Sequence, residues 1–454
     1  MDYNLILKDI KPTIDETNQI GEVSSEIIDF LQNLCDDDNL NAKVNLVGSV
    51  AKNTALKGKS DIDIFIAFPL ETDKYYLKKM GLDLAHKCCE NFNSTPEHHF
   101  ASHPYVTAHI NGYEVDIVPC YAIDNGSQIK SAVDRTILHT RYVKANLGKN
   151  QENEVLLLKR FMAMTGVYGS EFKTGGFAGY LCELLIINYG TFENTLKKAI
   201  HWQYGHSIDL ESYDTSKNFN DPLIVIDPTD RNRNVGAALR LDKLAEFIQS
   251  ARNYLFSDNK KDYFYPLNRN LNKNDIINEL ELRNSDVIAI KFNIPDIPLD
   301  TLHPQLRKTT EALARKLNED EFNVFKADYW SDEVSDCVIL LEMASSNLND
   351  IKINIGPKVF FNKACENFAE KYGRENCYIQ NDFLVHTQKR DFNNALSLVE
   401  YIFTREHIGL IKVGKNLKNN IINTFEFISI DEINNDEFLE FLDDFINPGQ
   451  HIVR

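Results

Sequence analysis

Apolar and polar positions along the chain change period several times, and each change marks an element. Ile20, Val23, Ile27, Ile28, Leu31 and Leu34 recur at helical spacing, so residues 14–35 read as a helix. Residues 43–47 read as a strand, and 62–68 as an apolar strand. Helical spacing returns near 75–91, followed by strands near 106–110 and 114–118. This opening stretch predicts a small α/β domain with a mixed sheet. From about Arg141 the period becomes helical. Val155, Leu158, Phe161 and Met162 share one side of 154–164, and further helices are expected at 177–189 and 241–256. Pro266 and the asparagine-rich stretch 268–274 mark the next boundary. Beyond it lie strands at 287–292, 325–330, 337–342 and 383–386, with helices at 304–317, 359–372 and 392–403. Residues 320–405 are expected to form one compact unit. A strand at 424–428 and a helix at 436–445 should return to pack with 260–318. The fold class is therefore α+β and multidomain, divided at 1–140, 141–257, 258–319 with 406–454, and 320–405.

The chemistry concentrates in residues 48–63, Gly-Ser-Val-Ala-Lys-Asn-Thr-Ala-Leu-Lys-Gly-Lys-Ser-Asp-Ile-Asp. Side chains alternate along a strand, so Asp61 and Asp63 point one way while Ile62 and Ile64 point the other. Two carboxylates this close repel unless a cation lies between them, and clustered oxygen ligands suit Mg²⁺. Gly48-Ser49 can open a helix whose free N–H groups hold phosphate oxygens. The bland alternative is a solvated strand face. A metal pair beside a phosphate cradle fits nucleotidyl transfer better. A third carboxylate is expected if two metals are bridged, and Glu114-Val115-Asp116-Ile117-Val118-Pro119 supplies it. Asp116 is preferred because apolar neighbours tie it to a buried strand that Pro119 should terminate; Glu114 is the competitor, nearer the Asn111-Gly112 turn.

Composition narrows the class. The 454 residues are 43% hydrophobic and 26% charged, which suits packed domains. No apolar run approaches bilayer length, and the N-terminus lacks a signal-peptide pattern. Eight cysteines without a Cys-x-x-Cys pair read as reduced thiols of a cytoplasmic protein. The net charge of −18 is awkward for a nucleic-acid enzyme. Its distribution softens this: residues 130–174 carry eight Lys/Arg against four Asp/Glu, and 356–420 carry ten against seven. The last thirty residues carry one Arg against eight acids.

The chain resembles the archaeal-type (class I) CCA-adding enzymes, tRNA nucleotidyltransferases of the polymerase-β-like superfamily. The likeness is nearly collinear over 44–250. It rests on Gly-Ser-Val-Ala-Lys-Asn-Thr with Ser-Asp-Ile-Asp, on His103-Pro104-Tyr105-Val106, and on Glu114-Val115-Asp116-Ile117-Val118-Pro119-Cys120-Tyr121. It continues through Ser131-Ala132-Val133-Asp134-Arg135-Thr136, Tyr168-Gly169-Ser170-Glu171-Phe172-Lys173-Thr174, Gly179-Tyr180-Leu181-Cys182-Glu183-Leu184, Asp227-Pro228 and Arg233-Asn234-Val235. The C-terminal third matches weakly, chiefly at Gly356-Pro357.

The resemblance implies head, neck, body and tail domains. It also implies template-independent rebuilding of the 3′-terminal C-C-A of tRNA from CTP and ATP with two Mg²⁺ ions. Asp61 and Asp63 would ligate both metals and Asp116 the one beside the attacking 3′-OH. The triphosphate would meet Gly48, Ser49, Lys52, His139, Lys159 and Tyr168, and Arg233 would read the base edge. Arg160 beside Lys159, and Arg231 beside Arg233, stay open as alternatives, and Lys173 and Glu183 could be structural ion-pair members. Thr136 could cap a helix or touch ribose. Two departures stand out. Gly175 occurs where the family usually has a basic residue, and Gly236 where alanine is common. The tRNA acceptor stem and 3′ end are the expected partners, with no membrane role and a homodimer left open. Rival readings are another superfamily nucleotidyltransferase, making oligo- or poly(A) or a cyclic nucleotide, or a tRNA-binding pseudoenzyme.

Overall fold

The computed structural model describes residues 1–59, 61–99, 104–269 and 271–454. It divides into one unit of residues 1–268 with 449–454 and a second of 269–448. The first unit begins with helices α1 (Tyr3–Ile10) and α2 (Ile14–Asp37). Thr13 starts α2 with a reciprocal cap: its hydroxyl accepts the Glu16 N–H at 3.2 Å, and the Glu16 carboxylate accepts the Thr13 N–H at 2.7 Å. Strand β1 (Lys43–Val47), the short helix α3 (Gly48–Ala51), β2 (Ile62–Phe68), α4 (Lys74–Asn91), β3 (Glu97–His99), β4 (Tyr105–Ile110) and β5 (Tyr113–Tyr121) follow. The sheet order is β1-β2-β5-β4-β3, with β2 and β5 parallel and the other pairs antiparallel.

Period-2 alternation gives this sheet two different faces. Ile62, Ile64 and Ile66 bury against Val23, Ile27 and Leu31 of α2 and Leu84, Ala85 and Cys88 of α4. The opposite face carries Asp63, Phe65 and Ala67, and among the described residues Phe65 and Ala67 join a small apolar cluster with Val47, Val118, Cys120 and Ile137. The carboxylates thus sit on the face with the smaller apolar cluster. β5 does not stop at Pro119, as the sequence suggested, but runs to Tyr121, with Pro119 opposite Ile66 of β2. The β4 pairing ends at Val106 opposite Ile117.

The rest of this unit is α5 (Arg135–Asn146), α6 (Gln151–Met164), α7 (Gly179–Tyr189), α8 (Phe192–Ala199), β6 (His206–Ile208), β7 (Leu223–Asp227), β8 (Asp230–Asn234) and α9 (Leu241–Phe256). Helix α5 runs across the boundary expected at 140/141. Ile6 and Ile10 of α1 bury in the helical core with Phe161, Phe192 and Phe247, so the first helix does not pack with the sheet domain that was expected to contain it. The three-stranded sheet β6-β7-β8 was not anticipated, although the fully buried Leu-Ile-Val-Ile run before Asp227 carries its signal. Residues 449–454 also belong here. The Asn253 side chain donates to the Ile452 carbonyl at 2.6 Å, and Arg454 donates to the carbonyls of Tyr265 at 2.6 Å and Asp262 at 3.1 Å.

The second unit comprises α10 (Lys273–Leu282), β9 (Asp286–Asn293), α11 (Leu299–Glu319), β10 (Val324–Ser331), β11 (Asp336–Met343), β12 (Ile351–Lys358), α12 (Asn362–Tyr372), β13 (Cys377–Gln380), β14 (Phe383–Lys389), α13 (Ala395–Ile402), α14 (Lys418–Thr424), β15 (Glu426–Ile428) and α15 (Asp436–Ile446). One sheet runs β10-β11-β9-β15 and a second β12-β14-β13. Apolar cover on both faces of the first sheet explains the unbroken buried run Cys337–Met343. Strand β15 pairs with β9, and α15 packs with α10. The expected unit 320–405 is not one body. β10 and β11 join β9 in the larger sheet, and Ala395, Leu398 and Ile402 of α13 share its core with α11. Only β12, β13, β14 and α12 stand apart, and β12 was missed because Gly356-Pro357 reads as a turn. Helix α11 starts at Leu299 rather than at Pro304, which lies inside it.

Candidate active site

Asp63 and Asp116 are direct neighbours in the parallel β2–β5 register, and Asp61 precedes β2 on the same side. Burial, then the charges of Asp116 and Asp61, push the Asp63 carboxyl up to about 6, with Lys52 opposing. Asp116 is raised as well, chiefly by burial, although the Thr107 hydroxyl donates to its Oδ1 at 2.5 Å. Thr107 escaped the sequence reading; it sits opposite Asp116 on β4. Glu114 is exposed and lies opposite His109 in the β4–β5 register. Asp63 and Asp116, both with raised proton affinity, and Asp61 beside them form a site short of positive charge, which is what a divalent cation supplies. Among the described residues no His, Cys, Asp or Glu group forms a ready-made metal cage.

Gly48 lies against this cluster. Its φ is +71°, and a Cβ there would fall on the Oδ2 atom of Asp63. Gly48→Ala is expected to strain the turn by about 1–2 kcal/mol and to displace the carboxylate. A fall in kcat on the order of a hundredfold, with the fold kept by circular dichroism, is the expected result. An unchanged kcat would show that the carboxylate can shift without consequence. Ser49 follows half-buried in α3.

Lys52 reaches α7 instead of open solvent. Its Nζ lies 2.6 Å from Oε2 of Glu183, the Thr54 hydroxyl donates to Oε1 at 2.6 Å, and Lys159 Nζ is 3.6 Å from Oε1. Lys159 is only 2% exposed and also donates to the Thr54 carbonyl at 2.9 Å. Arg160, the alternative, points elsewhere and donates to the Phe264 carbonyl at 2.7 Å. Burial would raise the Glu183 carboxyl, but the two ammonium groups and the Thr54 hydroxyl hold it below its usual range. Two cations thus share one buried anion, leaving a local charge of +1. Gly179, the first residue of α7, marks where the phenol of Tyr168 and the ammonium of Lys159 converge: a Cβ there would lie 3.2 Å from the former and 3.4 Å from the latter.

His139 and Arg233 meet on a second buried carboxylate, Asp227, at the end of β7. His139 Nε2 and Arg233 Nη1 each lie 2.8 Å from its Oδ2. The backbone N–H and hydroxyl of Thr229 donate to its Oδ1 at 2.9 and 2.8 Å. Burial alone would raise the Asp227 carboxyl; His139, Thr229 and Arg233 together hold it well below the usual carboxylate range. An ionised carboxylate only accepts, so Nε2 of His139 carries a hydrogen. Burial lowers the proton affinity of the imidazole despite Asp227. His139 stacks on Tyr180 at 3.9 Å between centroids, and the Lys52 ammonium lies 5.9 Å from that ring. Arg231 is exposed, whereas the Arg233 side chain is 35% exposed beside Asp227.

The two departures have structural reasons. Gly175 has φ +61°, and the Arg240 side chain occupies the space a Cβ would need. A Cβ on Gly236 would lie 2.6 Å from the Leu223 carbonyl oxygen. Thr136 is half-buried and Lys173 exposed. His103 and Ser60 lie outside the described residues.

Comparison with known proteins gives the same picture along the chain. Residues 27–139 match the profile of a nucleotidyltransferase domain, 153–265 that of the second domain of tRNA nucleotidyltransferase, and 283–429 that of the C-terminal domain of CCA-adding enzyme. A CCA-adding enzyme of Methanothermobacter thermautotrophicus is 44% identical, covering 100% of this chain and 99% of its own length. Those of Methanosarcina acetivorans and Methanocaldococcus jannaschii are 39% and 35% identical, covering 94% and 87% of this chain and 93% and 89% of their own lengths. Among solved structures, Cid1, an RNA terminal uridylyl transferase, has a TM-score of 0.47 at 13% identity over 58% of this chain and 97% of its own, too low to carry a conclusion. No described helix is long and apolar enough to cross a membrane. Full-length identity above two fifths, joined to three collinear domain matches, shows that the chain belongs to the CCA-adding enzyme family of nucleotidyltransferases.

Proposed function

We propose that this chain rebuilds the 3′-terminal C-C-A of tRNA from CTP and ATP, without a nucleic-acid template and with release of pyrophosphate. The observation that carries the chemistry is the register of Asp63 beside Asp116 on a face that also holds Asp61. These three carboxylates would hold two Mg²⁺ ions, which when bound supply Lewis-acid stabilisation of the attacking 3′-oxygen and the leaving pyrophosphate. Asp61 and Asp63 would serve both ions and Asp116 the one beside the 3′-OH. Gly48 lets the chain pass close over Asp63, placing Ser49 next to the metal seat.

The excess positive charge of Lys52 and Lys159 over Glu183 attracts the triphosphate, with the Tyr168 phenol beside it. His139 uses Nε2 on Asp227, so any hydrogen bond it donates to phosphate comes from Nδ1 of the imidazolium. Arg233 gives one nitrogen to Asp227 and turns its remaining donors to the open side. A donor-only group selects C and A, whose N3 and N1 accept, against U and G, whose N3 and N1 carry hydrogens. The small sheet of β12, β13 and β14 is our placement for the tail that meets tRNA beyond its acceptor stem.

The test is incubation with tRNA lacking its last three nucleotides, with CTP, ATP, UTP and GTP in competition. Ordered incorporation of C, C and A, and none after A, is the expected result. Incorporation of A alone, or of a run of one nucleotide, would sink the reading.

A further inference from the structure

The base-facing guanidinium and the phosphate-side imidazole are fastened to one oxygen atom, Oδ2 of Asp227. The carboxylate is fully buried. Its other oxygen is fixed by Thr229 from the turn between β7 and β8, so it cannot rotate without breaking two hydrogen bonds. The phenol of Tyr180 approaches that oxygen at 3.5 Å while its ring stacks on His139. Lys52 lies over the same ring and is tied to Glu183. A continuous set of contacts therefore runs from Lys52 through Tyr180, His139 and Asp227 to Arg233.

We propose that Asp227 is the positioning residue for base selection. It sets the plane of the Arg233 guanidinium and its distance from the phosphate seat, so that the free donors meet an acceptor at N3 of cytosine or N1 of adenine. The inference rests on reading Arg233 as the base-facing residue. The physical ground is the fork geometry. A guanidinium held through Nη1 presents its remaining N–H groups in one fixed plane, whereas an unheld one turns to suit any base. Selectivity is a difference between the right and the wrong base, and it is lost when the donors can follow the wrong one. Thr229 carries no donor toward substrate in this arrangement. It orients the carboxylate, and its hydroxyl is one of three contacts on Oδ1, beside its own N–H and the Tyr180 phenol, so losing it leaves the Arg233 contact in place.

The experiment measures kcat/KM for CTP and for UTP, on the same truncated tRNA, in wild-type protein and in Asp227→Asn, Thr229→Val and Arg233→Ala. Asp227→Asn keeps the volume and removes the charge that holds Arg233. The expected result is a fall of about tenfold or more in the CTP-to-UTP ratio for Asp227→Asn and for Arg233→Ala. The double variant should be no worse than either single one, because both remove the same restraint. Thr229→Val keeps the backbone bond to Oδ1 and the charge on Oδ2, so it should lower the ratio less than Asp227→Asn does; a fall as large would mean that general loosening of the turn explains both and would overturn the proposal. Arg233→Ala with an unchanged ratio would overturn the base-facing reading itself. Arg233→Ala with a lowered ratio beside an unchanged Asp227→Asn would overturn the positioning role alone. Should Asp227→Asn fail to fold, Asp227→Glu, which keeps the charge and pushes the guanidinium outward, should lower the same ratio; an unchanged ratio there overturns the proposal.

Discussion

Asp63→Asn is expected to lower kcat for nucleotide addition by on the order of a thousandfold and, in the presence of chelator at pH 8, to raise the melting temperature. The two effects have one cause. Asp63 sits between Asp116 and Asp61 with its carboxyl pushed up to about 6. Between about pH 4 and 6 the folded state therefore holds a proton that the unfolded state has released. Stability contributed by that proton is fully present below the window and is lost as pH rises through it. The raised Asp116 carboxyl acts in the same direction. Relative to Asp63→Asn, metal-free wild-type protein should thus lose melting temperature as pH rises from 4 to above 6 and regain it when Mg²⁺ is added. The asparagine variant should respond less to either change. A variant less stable than wild type in chelator at pH 8 would mean that Asp63 is chiefly a structural acceptor, and the metal assignment would lose its electrostatic support.

The second large effect is on folding. Glu183→Gln is expected to cost about 3–5 kcal/mol, because it leaves two buried ammonium groups around a neutral amide. Lys159 is 2% exposed and Lys52 has its side chain 7% exposed, so neither can recover hydration without moving the helix it faces. A nucleoside triphosphate should rescue this variant more than wild type, since it brings the anion the site has lost. The check is a thermal or denaturant melt with and without CTP, at the same free CTP concentration for both proteins. Equal rescue in both proteins would show that the lysines do not face the triphosphate, while a loss below about 1 kcal/mol would show that they find other partners.

Much of this site was legible before the structure, and the unreadable part has a physical pattern. Asp61, Asp63 and Asp116 could be read because strand alternation is strict and apolar neighbours fix the face. Their partner Thr107 was missed because pairing register is a long-range property. Lys52, Lys159 and Glu183 were identifiable as charged residues within motifs. Nothing local says that two lysines from different elements share one carboxylate on a third. Asp227 was visible only as part of a dipeptide, since its role depends on four side chains and a turn brought together by folding. The expected domain boundaries rest on the least local information. Helix α5 crosses one of them, and the larger second sheet takes β10 and β11 across another, because boundaries depend on which strands pair.

The return of residues 449–454 to the first unit has a consequence for synthesis. Asn253, Asp262 and Tyr265 make bonds whose partners are Ile452 and Arg454. At translation speeds of about 5–20 residues per second, those partners leave the ribosome roughly 10–40 seconds after residue 268. During that interval the nascent first unit exposes a seam that only water can satisfy, while the whole second unit is being made. Its locking by this segment therefore follows synthesis of the whole second unit, although the bonds lie in the first.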